Sequence, residues 1–294
     1  MTDAFVGVDW GTSNARFMLV DADGGLIEER SGPGISRLNG VAAIEGACFE
    51  ALGDWPRVPV VMAGMVGSNI GWRLAPYAKT PASVGTEKAV CFETRGWQFA
   101  ILPGVETVRT DGFPDVMRGE ETQILGGIGG DSALVCLPGT HCKWAVVTRG
   151  AITGFHTAMT GELLDIIGRQ SILLNPRRAP AAVGGSEFIE GVSAIKNSAL
   201  GLETLLFTVR SRQIAGTLSA DVADDYLTGL CIGADIRSAM TLHPDARSVS
   251  LIGSPTLTAL YASALAAFGI PSHQIDGCDA VLKGLTRAYR EIFA

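Results

Sequence analysis

VGVDWGTSNARFMLVD, residues 6–21, is two apolar runs joined by a polar turn. Phe5–Trp10 and Ala15–Asp21 have strand composition, and the GTSN between them is turn chemistry. The first strand delivers Asp9 to its end. Gly11 lets the backbone turn with its N–H groups outward. Thr12, Ser13 and Asn14 add short polar donors, and Arg16 adds a cation. Such a turn can hold phosphate oxygens on backbone N–H groups. A carboxylate at a strand tip suits Mg²⁺, which takes oxygen ligands and keeps most of its waters. A plain hairpin carries the same turn, so the stretch alone fixes no function.

Working outward, Leu26–Arg30 completes a three-stranded antiparallel meander. Val41–Leu52 has helical spacing and Pro59–Ala63 is a short buried strand. Gln98–Leu102 and Glu106–Arg109 are further strands, and Glu120–Leu125 starts a helix. The pattern then restarts. LVCLPGTHCKWAVV, residues 134–147, is again strand, Gly-Thr turn, strand, and Ala151–Phe155 adds a third strand. Gly139, Thr140 and His141, followed by Lys143, could hold the other end of a polyphosphate. Helices dominate after Thr160: Glu187–Arg212 with a break near Gly201, then Asp221–Met240. SLIGSPTLTALYASALAAFGI, residues 250–270, is a buried strand ending at Gly253-Ser254, then an amphipathic helix. Glycine there lets a flat ring lie against the backbone, and the helix N-terminus favours anions. Leu282, Leu285, Tyr289 and Ile292 line a last helix. The expected fold class is α/β with two related lobes: residues 1–127 and residues 128–294, divided at a flexible Gly126–Gly130, the last helix a candidate to pack back on the first lobe.

Composition bounds the function. With 47% hydrophobic and 18% charged residues, the chain can bury a large core. Thirty acidic and 23 basic residues give a net charge of −7, which argues against nucleic acid as partner. No apolar run reaches membrane-spanning length, and no basic leader opens the chain, so a cytoplasmic protein without a membrane partner is expected. Six scattered cysteines without a CxxC pair read as reduced core or near-core thiols. The 37 glycines cluster at Gly64–Gly71, Gly126–Gly130, Gly139, Gly184–Gly185 and Gly253, which suggests a site built largely from backbone. No GxxxxGK[ST] is present. SxxK at Ser193–Lys196 lacks its partner motifs, and DADGG lacks the closing Glu of a calcium loop.

DVMRGEETQILGG, residues 115–127, places Glu120 and Glu121 where a loop enters a helix. One can serve the helix dipole and the other is a candidate base for a substrate hydroxyl. Asp111 and Asp115 are rival bases.

These parts, in this order, resemble the actin/hexokinase/Hsp70-type ATPase superfamily. VDWGTSNAR resembles its first phosphate motif, with the Arg as in glycerol-kinase-type carbohydrate kinases. LPGTHCKW resembles the second phosphate motif and IGSPTLTALYASALAAFG the adenosine motif. RGEETQILGG resembles the segment carrying the catalytic Asp, with Glu120 at that position. Over nearly its full length the chain is similar to the 2-dehydro-3-deoxygalactonokinase family in MAGMVGSNIGW, DVMRGEETQILGG, CLPGTHCKWAVV and FHTAMTGELLDII. The resemblance implies two ribonuclease-H-like lobes with an interlobe cleft, and Mg²⁺- and ATP-dependent phosphorylation of the 6-hydroxyl of 2-dehydro-3-deoxy-D-galactonate in galactonate catabolism. It makes Glu120, Asp9 and Arg16 catalytic, with Asp9 at the metal. It makes Gly11, Thr12, Ser13, Asn14, Gly139, Thr140, His141, Lys143, Gly253 and Ser254 nucleotide-binding. Met65, Ser68, Asn69, Trp72, Arg118 and Thr160 are candidate substrate contacts, Thr160 also a plausible helix cap. A related sugar acid, or polyphosphate hydrolysis on the same fold, is the alternative, and a non-catalytic sugar sensor ranks below both. A homodimer is left open.

Overall fold

The computed structural model of the chain describes residues 4–21, 23–83, 86–129, 133–174 and 184–294. Ala22 of the DADGG turn and Gly130 of the interlobe glycines lie outside the described residues. The chain divides into two compact units. One is Met1–Ser132 with Ala145–Phe155 and Gly277–Ala294, and the other is Ala133–Trp144 with His156–Asp276.

The first unit begins with β1 (Ala4–Trp10), β2 (Asn14–Asp21) and β3 (Leu26–Pro33), an antiparallel meander with Asp9 directly opposite Arg16. There follow α1 (Val41–Leu52), β4 (Val60–Gly64), β5 (Tyr77–Lys79), β6 (Val90–Thr94), β7 (Trp97–Ile101), β8 (Gly104–Val108), β9 (Pro114–Met117) and α2 (Glu120–Ile128). The main sheet runs β3-β2-β1-β4-β7-β6, with β4 parallel to both β1 and β7. Strand alternation sorts its side chains cleanly. Val6, Val8, Trp10, Phe17, Val60 and Met62 face Ile44, Cys48 and Leu52 of α1. Phe5, Met18, Val20, Val61 and Ala63 face Val281, Leu285 and Ala288 of the C-terminal helix Gly277–Phe293. Covered on both sides, β4 is apolar throughout, as a central parallel strand requires. β5, β8 and β9 form a separate three-stranded sheet.

The chain continues with β10 (Ala133–Leu137), β11 (Cys142–Thr148), β12 (Ala151–Ala158), α3 (Thr160–Gln170), α4 (Ser186–Asn197), α5 (Leu202–Ile214), α6 (Ala223–Leu242), β13 (Val249–Gly253), α7 (Pro255–Phe268), β14 (Ser272–Asp276) and α8 (Gly277–Phe293). The second sheet runs β12-β11-β10-β13-β14, with β10 parallel to β13 and β13 parallel to β14. Strand for strand this repeats β3-β2-β1-β4-β7, so the expected α/β fold of two related sheets is present. α4, α5 and α6 form a helical layer around Ile195, Leu205, Val209, Leu227 and Leu230.

The glycines at 126 and 127 correct one expectation. They do not make a loose point: Gly126 lies inside α2, where a Cβ would stand 2.0 Å from Ala280 O and 2.4 Å from Gly284 N. Missing side chains here let α2 and α8 pack backbone to backbone. No helix among the described residues is long and apolar enough to cross a membrane. Cys48, Cys136, Cys142 and Cys231 are buried, while Cys91 and Cys278 are exposed.

Candidate functional site

The turn after β1 is built from backbone. Gly11 N–H donates to Asn14 O at 2.9 Å, so it closes the turn rather than pointing outward as expected. The carbonyls of the turn are taken by the segment after β3. Ile35, Ser36 and Gly34 N–H groups donate to Gly11, Thr12 and Ser13 oxygens at 3.0–3.1 Å, and Ser36 Oγ adds a bond to Thr12 O at 2.8 Å. A Cβ at Gly34 would stand 2.2 Å from Ser13 C, so only glycine permits this brace. Thr12, Ser13 and Asn14 remain exposed. Beside them Arg16 Nη2 meets Asp9 Oδ2 at 3.1 Å, and Arg16 Nη1 donates to Cys278 Sγ at 2.5 Å. Cross-strand pairing makes the first contact. The Asp9 side chain is 22% exposed, so a single carboxylate is available at the strand tip. Among the described residues no cluster of three acidic, His or Cys side chains forms a protein-only metal cage. One carboxylate fits Mg²⁺, which keeps its waters and binds phosphate oxygens.

At the start of α2 two adjacent carboxyls have different surroundings. Gly119 has φ 107°, a region that favours glycine. This conformation turns two N–H groups to the helix acids: Arg118 N–H donates to Glu120 Oε2 at 3.0 Å, and Gly119 N–H to both oxygens of Glu121 at 2.8–2.9 Å. Glu121 is buried, and burial, reinforced by the charge of Glu120, pushes its carboxyl up to about 8. Glu120 is partly exposed. Burial thus separates the two acids, with Glu121 shielded and Glu120 reachable. Arg118 Nη2 donates to Ala75 O at 2.8 Å and its guanidinium lies 4.3 Å over the Tyr77 ring, while its buried Nε and Nη1 make no hydrogen bond. The rival acids serve the β8–β9 hairpin: Asp111 pairs with Arg109 at 2.5 Å and Asp115 accepts Val116 N–H at 2.8 Å.

In the loop after β4, Ser68 Oγ donates to Met65 O at 2.8 Å and accepts Ile70 N–H at 3.3 Å, so the hydroxyl shapes the loop. Met65 packs partly against the core and Asn69 is exposed. Trp72 departs from expectation: it is buried, edge-on to Phe92 and Phe99 at 5.2 and 5.0 Å. Its ring fills the core and does not cover a ligand.

The turn after β10 is braced by a helix. Glu162 N–H donates to Thr140 O at 3.0 Å, the Glu162 carboxylate pairs with His141 Nε2, and a Cβ on Gly161 would stand 2.4 Å from Gly139 O. Gly139 itself faces open space, with nothing within 4 Å of an added Cβ. Lys143 is buried and its Nζ donates to His141 O at 3.2 Å. Gly253 brings the end of β13 beside this turn, 3.6 Å from Pro138 O for an added Cβ, and the exposed Ser254 precedes Pro255 at the start of α7. Thr160 also departs from expectation. Met159 holds the cap position of α3, and the Thr160 hydroxyl donates to Asp235 Oδ2 at 2.8 Å. Asp235 was not singled out in the sequence. Its only sequence signal is an acid inside the apolar run LCIGADI of α6.

A family model described as 2-keto-3-deoxy-galactonokinase matches residues 9–288. A Rhizobium meliloti (strain 1021) protein named a probable 2-dehydro-3-deoxygalactonokinase is 36% identical over 300 residues, 98% of this chain and 97% of that protein. The 2-dehydro-3-deoxygalactonokinase of Escherichia coli (strain K12) is 35% identical over 295 residues, 97% of each. The crystal structure of a candidate 2-dehydro-3-deoxygalactonokinase from Sinorhizobium meliloti superposes with TM-score 0.89 at 35% identity, covering 98% of this chain and 99% of that one. An ADPNP-bound activator of 2-hydroxyisocaproyl-CoA dehydratase from Clostridium difficile superposes with TM-score 0.51 at 11% identity over 98% and 95% of the two chains, a likeness of fold alone.

Proposed function

The chain belongs to the 2-keto-3-deoxy-galactonokinase family, and from that premise we propose that it transfers the γ-phosphate of ATP to the 6-hydroxyl of 2-dehydro-3-deoxy-D-galactonate. The observation that carries the chemistry is the split pair at the start of α2: Glu120 reachable, Glu121 buried and protonatable near neutrality. Glu120 takes the proton of the 6-hydroxyl as that oxygen attacks the γ-phosphorus, and the bond to the β–γ bridging oxygen breaks, releasing ADP. The N–H of Arg118 on Glu120 Oε2 holds that carboxyl in place at the start of α2.

The rest of the site positions and neutralises. Gly11, Thr12, Ser13 and Asn14 offer one set of donors to phosphate oxygens; Gly139, Thr140 and His141, with Lys143 behind them, offer another. Arg16 orients Asp9. Asp9 would hold Mg²⁺, which when bound neutralises phosphate charge. Gly253 and Ser254 form the floor for the adenosine. Met65 and Asn69 stand nearest the sugar acid, with Ser68 shaping their loop. The two unpartnered nitrogens of Arg118 support its pairing with the substrate carboxylate.

A coupled ADP-release assay with ATP, Mg²⁺ and a panel of 2-keto-3-deoxy sugar acids tests the reading. ADP formation is expected with the galactonate-derived acid and not without acceptor. ADP release independent of any acid would mark a phosphohydrolase instead.

A further inference from the structure

Asp235 sits in the middle of α6, flanked by the buried Ile232 and Ile236, and is itself only 6% exposed. Three donors from three other elements meet its carboxylate: Trp144 Nε1 of β11 at 2.9 Å, Thr160 Oγ1 of α3 at 2.8 Å and Tyr261 Oη of α7 at 2.6 Å. Burying a carboxylate is costly unless several good hydrogen bonds compensate, and packing alone would be served as well by an apolar residue of the same volume. The three elements it joins are not arbitrary. Trp144 is three residues beyond His141 of the second turn. Thr160 begins α3, whose Gly161 and Glu162 press on Gly139, Thr140 and His141. Tyr261 lies about 1.7 turns into α7, the helix capped by Ser254. Two of them, the second turn and the start of α7, are assigned above to nucleotide binding, and α3 braces the first of these.

We propose that Asp235 is the positioning residue of the nucleotide half of the site: through Trp144, Thr160 and Tyr261 it fixes the second phosphate turn, the start of α3 and the adenosine helix in one arrangement. The proposal rests on the reading that these parts hold ATP. Asp235 touches neither ATP nor acceptor. Its removal therefore loosens the nucleotide and leaves the sugar-acid contacts proposed at Met65, Asn69 and Arg118, in the first unit, as they are. Asn is a poor substitute: with its oxygen on Trp144 Nε1–H, its amide nitrogen faces two hydroxyls that must turn to accept, and the charge that strengthens all three bonds is lost.

The test is ADP binding by calorimetry, with KM for ATP and for the sugar acid, on the full chain carrying Asp235→Asn. Tyr261→Phe, which removes one donor and keeps the ring, is the milder second variant. For Asp235→Asn a tenfold or greater rise in ADP Kd and ATP KM is expected, with the sugar-acid KM within twofold. Tyr261→Phe is expected to raise the same two constants two- to fivefold. Unchanged ADP binding in both variants overturns the proposal. So does an equal rise in both KM values, which would mean a merely structural role. If Asp235→Asn does not fold, the Tyr261→Phe constants decide. Wild-type protein that binds no ADP at all would sink the underlying reading of the turn, an outcome separate from any variant effect.

Discussion

The two glycine turns are alike in sequence and in sheet position, yet they are held differently. The first, at Gly11–Asn14, is stitched by four hydrogen bonds to the segment Gly34–Ser36 that continues its own sheet. The second, at Pro138–His141, is pressed by the start of α3 and backed by the buried Asp235. A repeated hairpin thus carries two kinds of support. The first is tied by a run of hydrogen bonds to the segment that directly follows β3. The second depends on the start of a helix and on a polar hub that keeps it in place.

The largest effect is expected outside both turns. Glu120→Ala should lower turnover about 10³-fold while ATP still binds, read by kcat and calorimetry. Near-normal turnover would move the base to Asp115 or Asp111. The comparison of the turns predicts the next pair. Gly34→Ala puts a Cβ 2.2–2.4 Å from three backbone atoms of the turn that its own segment is bonded to, and should cost about 1–3 kcal/mol. Gly161→Ala meets Gly139 O at 2.4 Å but its next contact, Thr140 Cα, only at 2.8 Å, so its loss should be smaller. Equal melting losses would remove the distinction between the two braces.

Glu121 gives a pH effect. Its carboxyl is pushed from 4.5 to about 8 in the folded protein. Between those values the folded state holds a proton that the unfolded chain has released, so this contribution to stability falls as pH rises and is lost above about 8. Glu121→Gln keeps an acceptor for Gly119 N–H and cannot titrate. The decline in Tm between pH 5.5 and 8 should be shallower in this variant than in the parent, and an unchanged slope would contradict the assignment. The smallest effect belongs to Asp111→Asn. This exposed, solvent-screened hairpin ion pair should leave the melting temperature and turnover essentially unchanged.

The strands flanking both turns and the helices α1, α2, α6, α7 and α8 were legible because their apolar periodicity is strong. β5, β6, β9 and β14 were not. They are three to five residues long, and β14, SHQID, is largely polar and lies at a sheet edge where burial imposes no pattern. At the site, Asp9, the glycine turns and the paired Glu residues could be read because residue type and position carry the chemistry. Trp72 could not: an aromatic beside a glycine loop has the same letter whether it faces a ligand or Phe99. Gly126 shows the same ambiguity, since a glycine that loosens a loop and one that lets two helices touch are identical in sequence. Asp235 was invisible because its three partners are 91, 75 and 26 residues away.

The claim that bare backbone at the second turn holds phosphate is tested most directly by Gly139→Val. The added side chain meets no protein atom within 4 Å of its Cβ, so Tm should stay within about 1 °C of the parent. It would stand where phosphate oxygens must approach, and ATP Kd should rise at least tenfold. An unchanged ATP Kd with unchanged Tm would contradict the account.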